Sequence, residues 1–78
     1  MPRFYVDVRD GESFTRDDDG VEFAGSHEAR VDASKALAEM IKDVMPNGTH
    51  KAMAIEVRGA NHQPLFKVQI VFEVERLA

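Results

Sequence analysis

The sequence contains no cysteine and no tryptophan, and only three prolines and five glycines among its 78 residues. Without cysteine, the chain has no disulfide, no thiolate metal site and no thiol nucleophile. No stretch approaches the ~20 apolar residues of a membrane span. No apolar segment of about 7–15 residues follows the N-terminus, as a signal peptide requires. We therefore expect residues 1–78 to form a single domain of the reducing cytoplasm, without membrane contact, stabilised by one small hydrophobic core.

An excess of positive charge is also missing. Ten Lys and Arg residues stand against fourteen Asp and Glu residues, giving a formal net charge of -4. Nucleic-acid binding usually depends on clustered basic residues, so nucleic acid is not the expected partner. The hydrophobic fraction of 44% is ordinary for a folded protein.

Alternation of apolar and polar residues predicts the strands. From Arg3 to Arg9 the alternation is typical of a half-buried strand, and Asp10-Gly11 supplies a turn. A short second strand is expected around Ser13 to Arg16. Two further alternating segments, 53–58 and 66–74, predict a second hairpin joined by a loop over 59–64.

A helix is predicted from Ser26 to Met45, with Ser26 as the N-cap and Pro46-Asn47-Gly48 as the end. Its apolar face contains Ala29, Ala33, Ala36, Leu37, Met40, Ile41 and Val44. The expected fold class is α+β: a two-layer ββαββ domain, with a four-stranded antiparallel or mixed sheet and one amphipathic helix on one face.

The opposite face of the sheet mixes apolar and charged residues. Its apolar members are Tyr5, Ala54, Val71 and Leu77. Two interpretations stay open, a solvent-facing surface and a homodimer interface. The length of the last strand favours edge pairing slightly.

Motifs for chemistry are absent from the sequence. The acidic run before Gly20 fails the EF-hand spacing, because Thr15 falls at the first ligand position and Ser26 where the Glu is needed. His27, His50 and His62 lie in separate segments without metal-ligand spacing. We therefore expect no catalytic, cofactor-binding or metal-binding residues, no cofactor, and no enzymatic activity.

Arg30 is the one charge that helical periodicity places among apolar positions. An unpaired buried guanidinium is costly, so Arg30 must either extend to solvent or meet an acid, and the nearest acids in sequence lie in segment 17–22. Two interpretations stay open, a salt bridge that holds this segment to the start of the helix and a contact with an anion or an acidic peptide. This predicts a candidate interaction corner, whose residues are Arg9, Asp10, Asp17, Asp19, Glu22 and Arg30.

The opening Met1-Pro2-Arg3-Phe4-Tyr5-Val6-Asp7-Val8-Arg9-Asp10-Gly11 resembles a small bacterial family of unknown function, mainly alphaproteobacterial. Its members begin M-P-R-[FY]-[FY]-x-[DH]-[VL]-R-D-G. Further similar segments are 17–22, Ala29-Arg30, 55–58 and 73–77. Relatives usually carry an acidic residue and a Gly in the last hairpin turn, whereas here Gly59 comes earlier. The resemblance supports the fold and implies no activity.

The expected function is that of a non-enzymatic protein-interaction or regulatory module, with itself or another protein as partner. Two alternatives stay open. One is an antitoxin-like or nucleic-acid-associated regulator, by analogy of fold alone. The other is a domain that binds a small ligand or a divalent cation through the acidic loop 17–22.

Overall fold

A computed structural model describes residues 1–44 and 50–78. Within these ranges the elements are, in chain order, β1 (Arg3–Asp10), β2 (Ser13–Thr15), β3 (Val21–Glu22), α1 (Ser26–Val44), β4 (His50–Arg58) and β5 (Pro64–Glu73). All paired strands are antiparallel. The sheet has the order β2-β1-β4-β5, and β3 pairs with the first residues of β1.

The core lies between α1 and one face of the sheet. Helix α1 packs on β4 and β5, and the most buried large side chains, Ile55 and Val57 of β4, are each 1% exposed. The other buried core residues are Phe4, Ala29, Ala33, Leu37, Ile41 and Met53. This inner face consists of the apolar set of each alternating strand, because successive side chains of a strand point to opposite faces.

Over residues 1–44 and 50–78, the fold class is confirmed as α+β with one helix, but the sheet has five strands, not four. The additional strand, β3, has only two residues, too few for a periodic pattern to reveal. It is positioned by Gly20, whose φ of 80° is easily adopted only by glycine. A Cβ there would lie 2.8 Å from the Cγ of Arg3.

Helix α1 begins at Ser26, as predicted, but its N-cap is the preceding residue. The Gly25 carbonyl accepts a hydrogen bond from the Ala29 amide (3.1 Å), which makes Gly25 the N-cap and Ser26 the first helical residue. Ala36, at the margin of the apolar stripe, is exposed. The predicted helix end at Met45 and Pro46-Asn47-Gly48 lies outside the described residues, as does the Val44 side chain.

Candidate functional site

The most extensive polar cluster lies on the outer face of the sheet, opposite α1. Its centre is an ion pair between Asp7 of β1 and Arg58 of β4, whose side chains are only 5% and 12% exposed. The pair is bidentate: Arg58 Nε donates to Asp7 Oδ2 (2.8 Å) and Nη2 donates to Oδ1 (2.9 Å). Such paired, charge-assisted bonds fix both position and orientation.

Asp17 joins this ion pair to the loop between β2 and β3. Its amide donates to Asp7 Oδ1 (2.9 Å), and its carbonyl accepts from Arg58 Nη2 (2.8 Å). The Asp17 carboxylate accepts from the amides of Val6, Asp19 and Gly20 at 2.9–3.0 Å. Asp17 therefore shapes the turn that leads into β3.

His62 and Tyr5 complete the cluster on the side of the last turn. Arg58 Nη1 lies 2.6 Å from His62 Nδ1. Because arginine can only donate, this nitrogen is the acceptor in the contact. The ring stacks on Tyr5, with centroids 4.5 Å apart, and the guanidinium lies 4.9 Å from the centroid of Tyr5. We call Tyr5, Asp7, Asp17, Arg58 and His62 the Arg58 network.

Both carboxyl groups of the Arg58 network have a lowered pKa. For Asp7, the hydrogen bonds from Arg58 outweigh burial, which alone would raise the pKa. For Asp17, burial is the largest single influence and raises the pKa. The amide hydrogen bonds from Gly20, Val6 and Asp19 together exceed it and lower the pKa. Both groups therefore remain ionised at neutral pH, with their acceptor oxygens already occupied.

The residues of the predicted interaction corner do not lie together. Asp19 and Glu22 lie near the start of β1, where Arg3 bonds the Asp19 carbonyl and pairs with Glu22. Arg9 and Asp10 lie near the opposite end of β1, about 20 Å away at ~3.4 Å per residue. Of the six residues, Asp17 alone belongs to the Arg58 network.

The charges at the far end of β1 have partners there. Arg9 pairs with Glu56 (2.8 Å) and lies 4.5 Å from the centroid of the Phe14 ring. Asp10 pairs with Lys51 (2.6 Å). These contacts connect β1 to β2 and β4.

Arg30 is exposed and has no ion pair among the described residues. The acids expected to meet it have other partners: Glu22 pairs with Arg3, and Asp18 with Arg16. Periodicity placed Arg30 on the apolar stripe. Its side chain reaches solvent, one of the two outcomes expected for a cation at this position.

A shallow concavity of about 530 Å³ flanks the Arg58 network on the outer face. Phe14 and Leu65 line it and are 46% and 42% exposed. Its polar lining includes Arg16, Glu56 and Lys67. The outer face is therefore a mixture of apolar and charged groups, as predicted, except that Leu77 lies beyond the end of β5 and outside the sheet.

The free edge of β5 borders the same face. β5 has ten residues and ends the strand order. Within the described chain, β4 is the one strand that pairs with it. The opposite side of the sheet ends in the very short strands β2 and β3. The long unpaired edge therefore lies on one side only.

Among the described residues, no three histidine or acidic side chains are arranged to hold a metal ion. In the same ranges, no helix is both long enough and apolar enough to cross a membrane.

A family model described as Domain of unknown function (DUF6894) matches residues 3–71. The chain belongs to this family. The match begins with β1 and includes every element through most of β5, so it covers the Arg58 network completely. Neither the curated proteins nor the solved structures contain a match to the chain.

Sequence reasoning missed the Asp7–Arg58 pair, although each residue was placed correctly on its strand. Both belong to the polar set of an alternating segment, and the register places Tyr5 opposite Arg58 and Asp7 opposite Glu56. The available signal was one acid and one arginine on the same face of adjacent strands. To use it, the β1–β4 register would have to be known.

Proposed function

We propose that this chain is a non-enzymatic, cytoplasmic protein-interaction module that receives an extended segment of a partner protein along the free edge of β5. The observation that carries the proposal is the ten-residue edge strand, without a neighbour beyond it in the described chain. In an antiparallel ladder, alternate residues direct their N–H and C=O groups away from the neighbouring strand. β5 therefore offers a row of backbone donors and acceptors to an added strand.

The side chains of β5 support the same role. Val71 and Leu65 on the outer face are 50% and 42% exposed. On the inner face, four apolar side chains are only half-buried against the core: Phe66, Val68, Ile70 and Phe72. An added strand would cover apolar groups on both faces while it pairs with the backbone.

β5 also lacks most features that protect natural edge strands. Such edges are commonly short, bulged, or interrupted by proline and lysine. In β5 the proline is at the first position, the register shift lies at its start, opposite Val57 and Arg58, and Lys67 is the one lysine. From Phe66 to Glu73, the strand is regular and open to pairing.

The charge distribution supports a binding role without catalysis. Asp7 and Arg58 satisfy each other, and their geometry orients the loop and the last turn. The oxygens of Asp17 accept from three backbone amides, which makes them poor cation ligands. The net charge of -4 weighs against nucleic acid as the partner.

Site-specific photocrosslinking in the native cells tests the proposal. A benzophenone amino acid at Val71 of β5 is compared with the same probe at Val31, which is exposed on α1. We expect a protein adduct from position 71 and none from position 31. No adduct, or equal adducts from both positions, would contradict the proposal, and a nuclease-sensitive adduct would favour the nucleic-acid alternative.

A further inference from the structure

We infer that the strand received by β5 is the β5 strand of a second copy of this chain, antiparallel about a two-fold axis at Ile70. This inference rests on the proposed function and names its partner. A two-fold axis perpendicular to the sheet places the two identical strands side by side with their faces matched. The two four-strand paths β2-β1-β4-β5 would then join into one continuous sheet.

Charge complementarity along β5 selects the register. With Ile70 opposite the partner's Ile70, residues equally distant on either side of it lie opposite each other. Lys67 is then opposite the partner's Glu73, and Glu73 is opposite the partner's Lys67. Both side chains are exposed, and neither has an ion pair among the described residues. Directly opposed side chains have Cβ atoms about 4.5–5.5 Å apart, close enough for two symmetric salt bridges.

A neighbouring register loses this complementarity. With the axis at Gln69, Lys67 is opposite the partner's Val71 and Leu65 is opposite the partner's Glu73. Each charge then faces an apolar side chain, and its direct ionic partner is lost. The alternation of β5 keeps like faces together in both registers, so the charges decide between them.

The inner face is complementary about the same axis. Val68 is then opposite the partner's Phe72, and both are half-buried apolar positions next to the core. A groove of about 290 Å³ between α1 and β5 is bordered by Ser34, Ala38 and Ile70. The axis at Ile70 places this groove next to its symmetry copy. The short side chains of Ser34 and Ala38 leave room for the two helices to approach each other.

Sedimentation equilibrium over a concentration series tests the inference with charge reversals. In a dimer of the Lys67→Glu variant, each of the two facing pairs of positions 67 and 73 holds two negative charges. In a dimer of the Glu73→Lys variant, each pair holds two positive charges. We expect each variant to weaken dimerisation by about tenfold or more. An equimolar mixture of the two variants restores both salt bridges in a heterodimer, so we expect nearly wild-type dimerisation from it.

Lys35→Glu is the matched control, since it changes the net charge as Lys67→Glu does but lies on the exposed face of α1. We expect it to leave dimerisation unchanged. Rescue in the mixture requires contact between chains, because Lys67 and Glu73 lie about 20 Å apart within one strand.

A wild-type chain that remains monomeric throughout, or a dimer that is indifferent to the charge reversals, would overturn the inference. Failure of the proposed function is distinguishable from failure of this inference. A monomer that still crosslinks to another protein from position 71 retains the function and loses the self-pairing. A monomer without such crosslinks loses both.

Discussion

At the scale of single residues, Arg58 connects three parts of the chain through one side chain. Its guanidinium bonds to Asp7 on β1, to the Asp17 carbonyl in the loop before β3, and to His62 in the last turn. Buried ion pairs often add little net stability, because desolvation of the charges offsets their attraction. We therefore expect this pair mainly to fix the relative positions of the segments it joins. Removal of one partner alone should lower the free energy of unfolding strongly, because the other charge stays buried.

Replacement of Arg58 by methionine tests this role. Asp7 would remain buried without its cation, so we expect Arg58→Met to lower the free energy of unfolding by about 3 kcal/mol at neutral pH. Urea denaturation followed by circular dichroism measures the change. The exposed Arg76 supplies the control, and Arg76→Met is expected to change stability by less than about 0.5 kcal/mol. A loss below about 1 kcal/mol for Arg58→Met would contradict the argument.

Acid should destabilise the fold through the same carboxyl groups. Asp7 and Asp17 have a lower pKa in the folded chain than the usual value near 4 in unfolded chains. The stability they contribute is thus complete above the unfolded pKa and is lost as the pH falls through the folded pKa. We expect the urea concentration at the midpoint of unfolding to decrease as the pH is lowered below about 4.

The comparison of two asparagine variants isolates this effect. Asp17→Asn should make the acid-dependent loss shallower, because one of the responsible groups no longer titrates. Asp32→Asn, at an exposed position on α1, should leave the slope unchanged. Equal slopes for wild type and Asp17→Asn would show that Asp17 does not control the acid response.

At the scale of elements, the turn between β4 and β5 takes an unusual conformation for its sequence. His62 has a φ of 64°, and it is the one non-glycine residue with a positive φ among the described residues. The turn is closed by bonds from the Gly59 amide to the Gln63 carbonyl (2.8 Å) and from the His62 amide to the Gly59 carbonyl (2.9 Å). The left-handed conformation costs an L-residue about 1–2 kcal/mol. The contacts of His62 with Arg58 and Tyr5 offset this cost.

Two variants at position 62 separate the backbone strain from the side-chain contacts. His62→Ala and His62→Gly both lose those contacts, but glycine adopts the positive φ without strain. We therefore expect His62→Gly to be more stable than His62→Ala by about 0.5–1 kcal/mol in urea denaturation. At Ala60, which has an ordinary φ, the change to glycine should instead destabilise the chain. A His62→Ala variant at least as stable as His62→Gly would show that the backbone at position 62 is not strained.

The elements themselves follow closely from the sequence. Period-two alternation identified β1, β4 and β5, and helical periodicity identified the buried face of α1, because each repeating pattern reports which side of an element faces the core. β3 escaped detection because two residues form no repeat. The left-handed His62 escaped because its conformation depends on contacts with Arg58 and Tyr5, which belong to other strands.

At the scale of the whole molecule, the sequence did not predict how the strands pair with one another or which side chains meet across them. The Asp7–Arg58 pair depends on the β1–β4 register, which two amphipathic strands do not specify by themselves. The predicted corner around Arg30 failed to assemble for a related reason. Only thirteen positions separate Arg9 and Glu22 in the sequence, but Glu22 lies beside the start of β1 and Arg9 lies near its end.

The molecule is also longer than a compact domain of its size. Its radius of gyration is 14.1 Å and its longest dimension is 52 Å, whereas about 11–12 Å is usual for the radius of gyration at this length. The ten-residue β5 is itself about 30 Å long.

The strand order also has a consequence for synthesis on the ribosome. The central neighbour of β1 is β4, and the closest residues to pair between them, Asp10 and Met53, are forty-three positions apart. At about 5–20 residues per second, the nascent β1 waits for seconds before β4 emerges. During this interval Asp7 and Arg9 keep one face of the waiting strand charged, which discourages association with other nascent chains. We therefore expect Asp7 to be a solvated charge that limits aggregation while the chain is unfinished, and to form its ion pair with Arg58 once β4 has been synthesised.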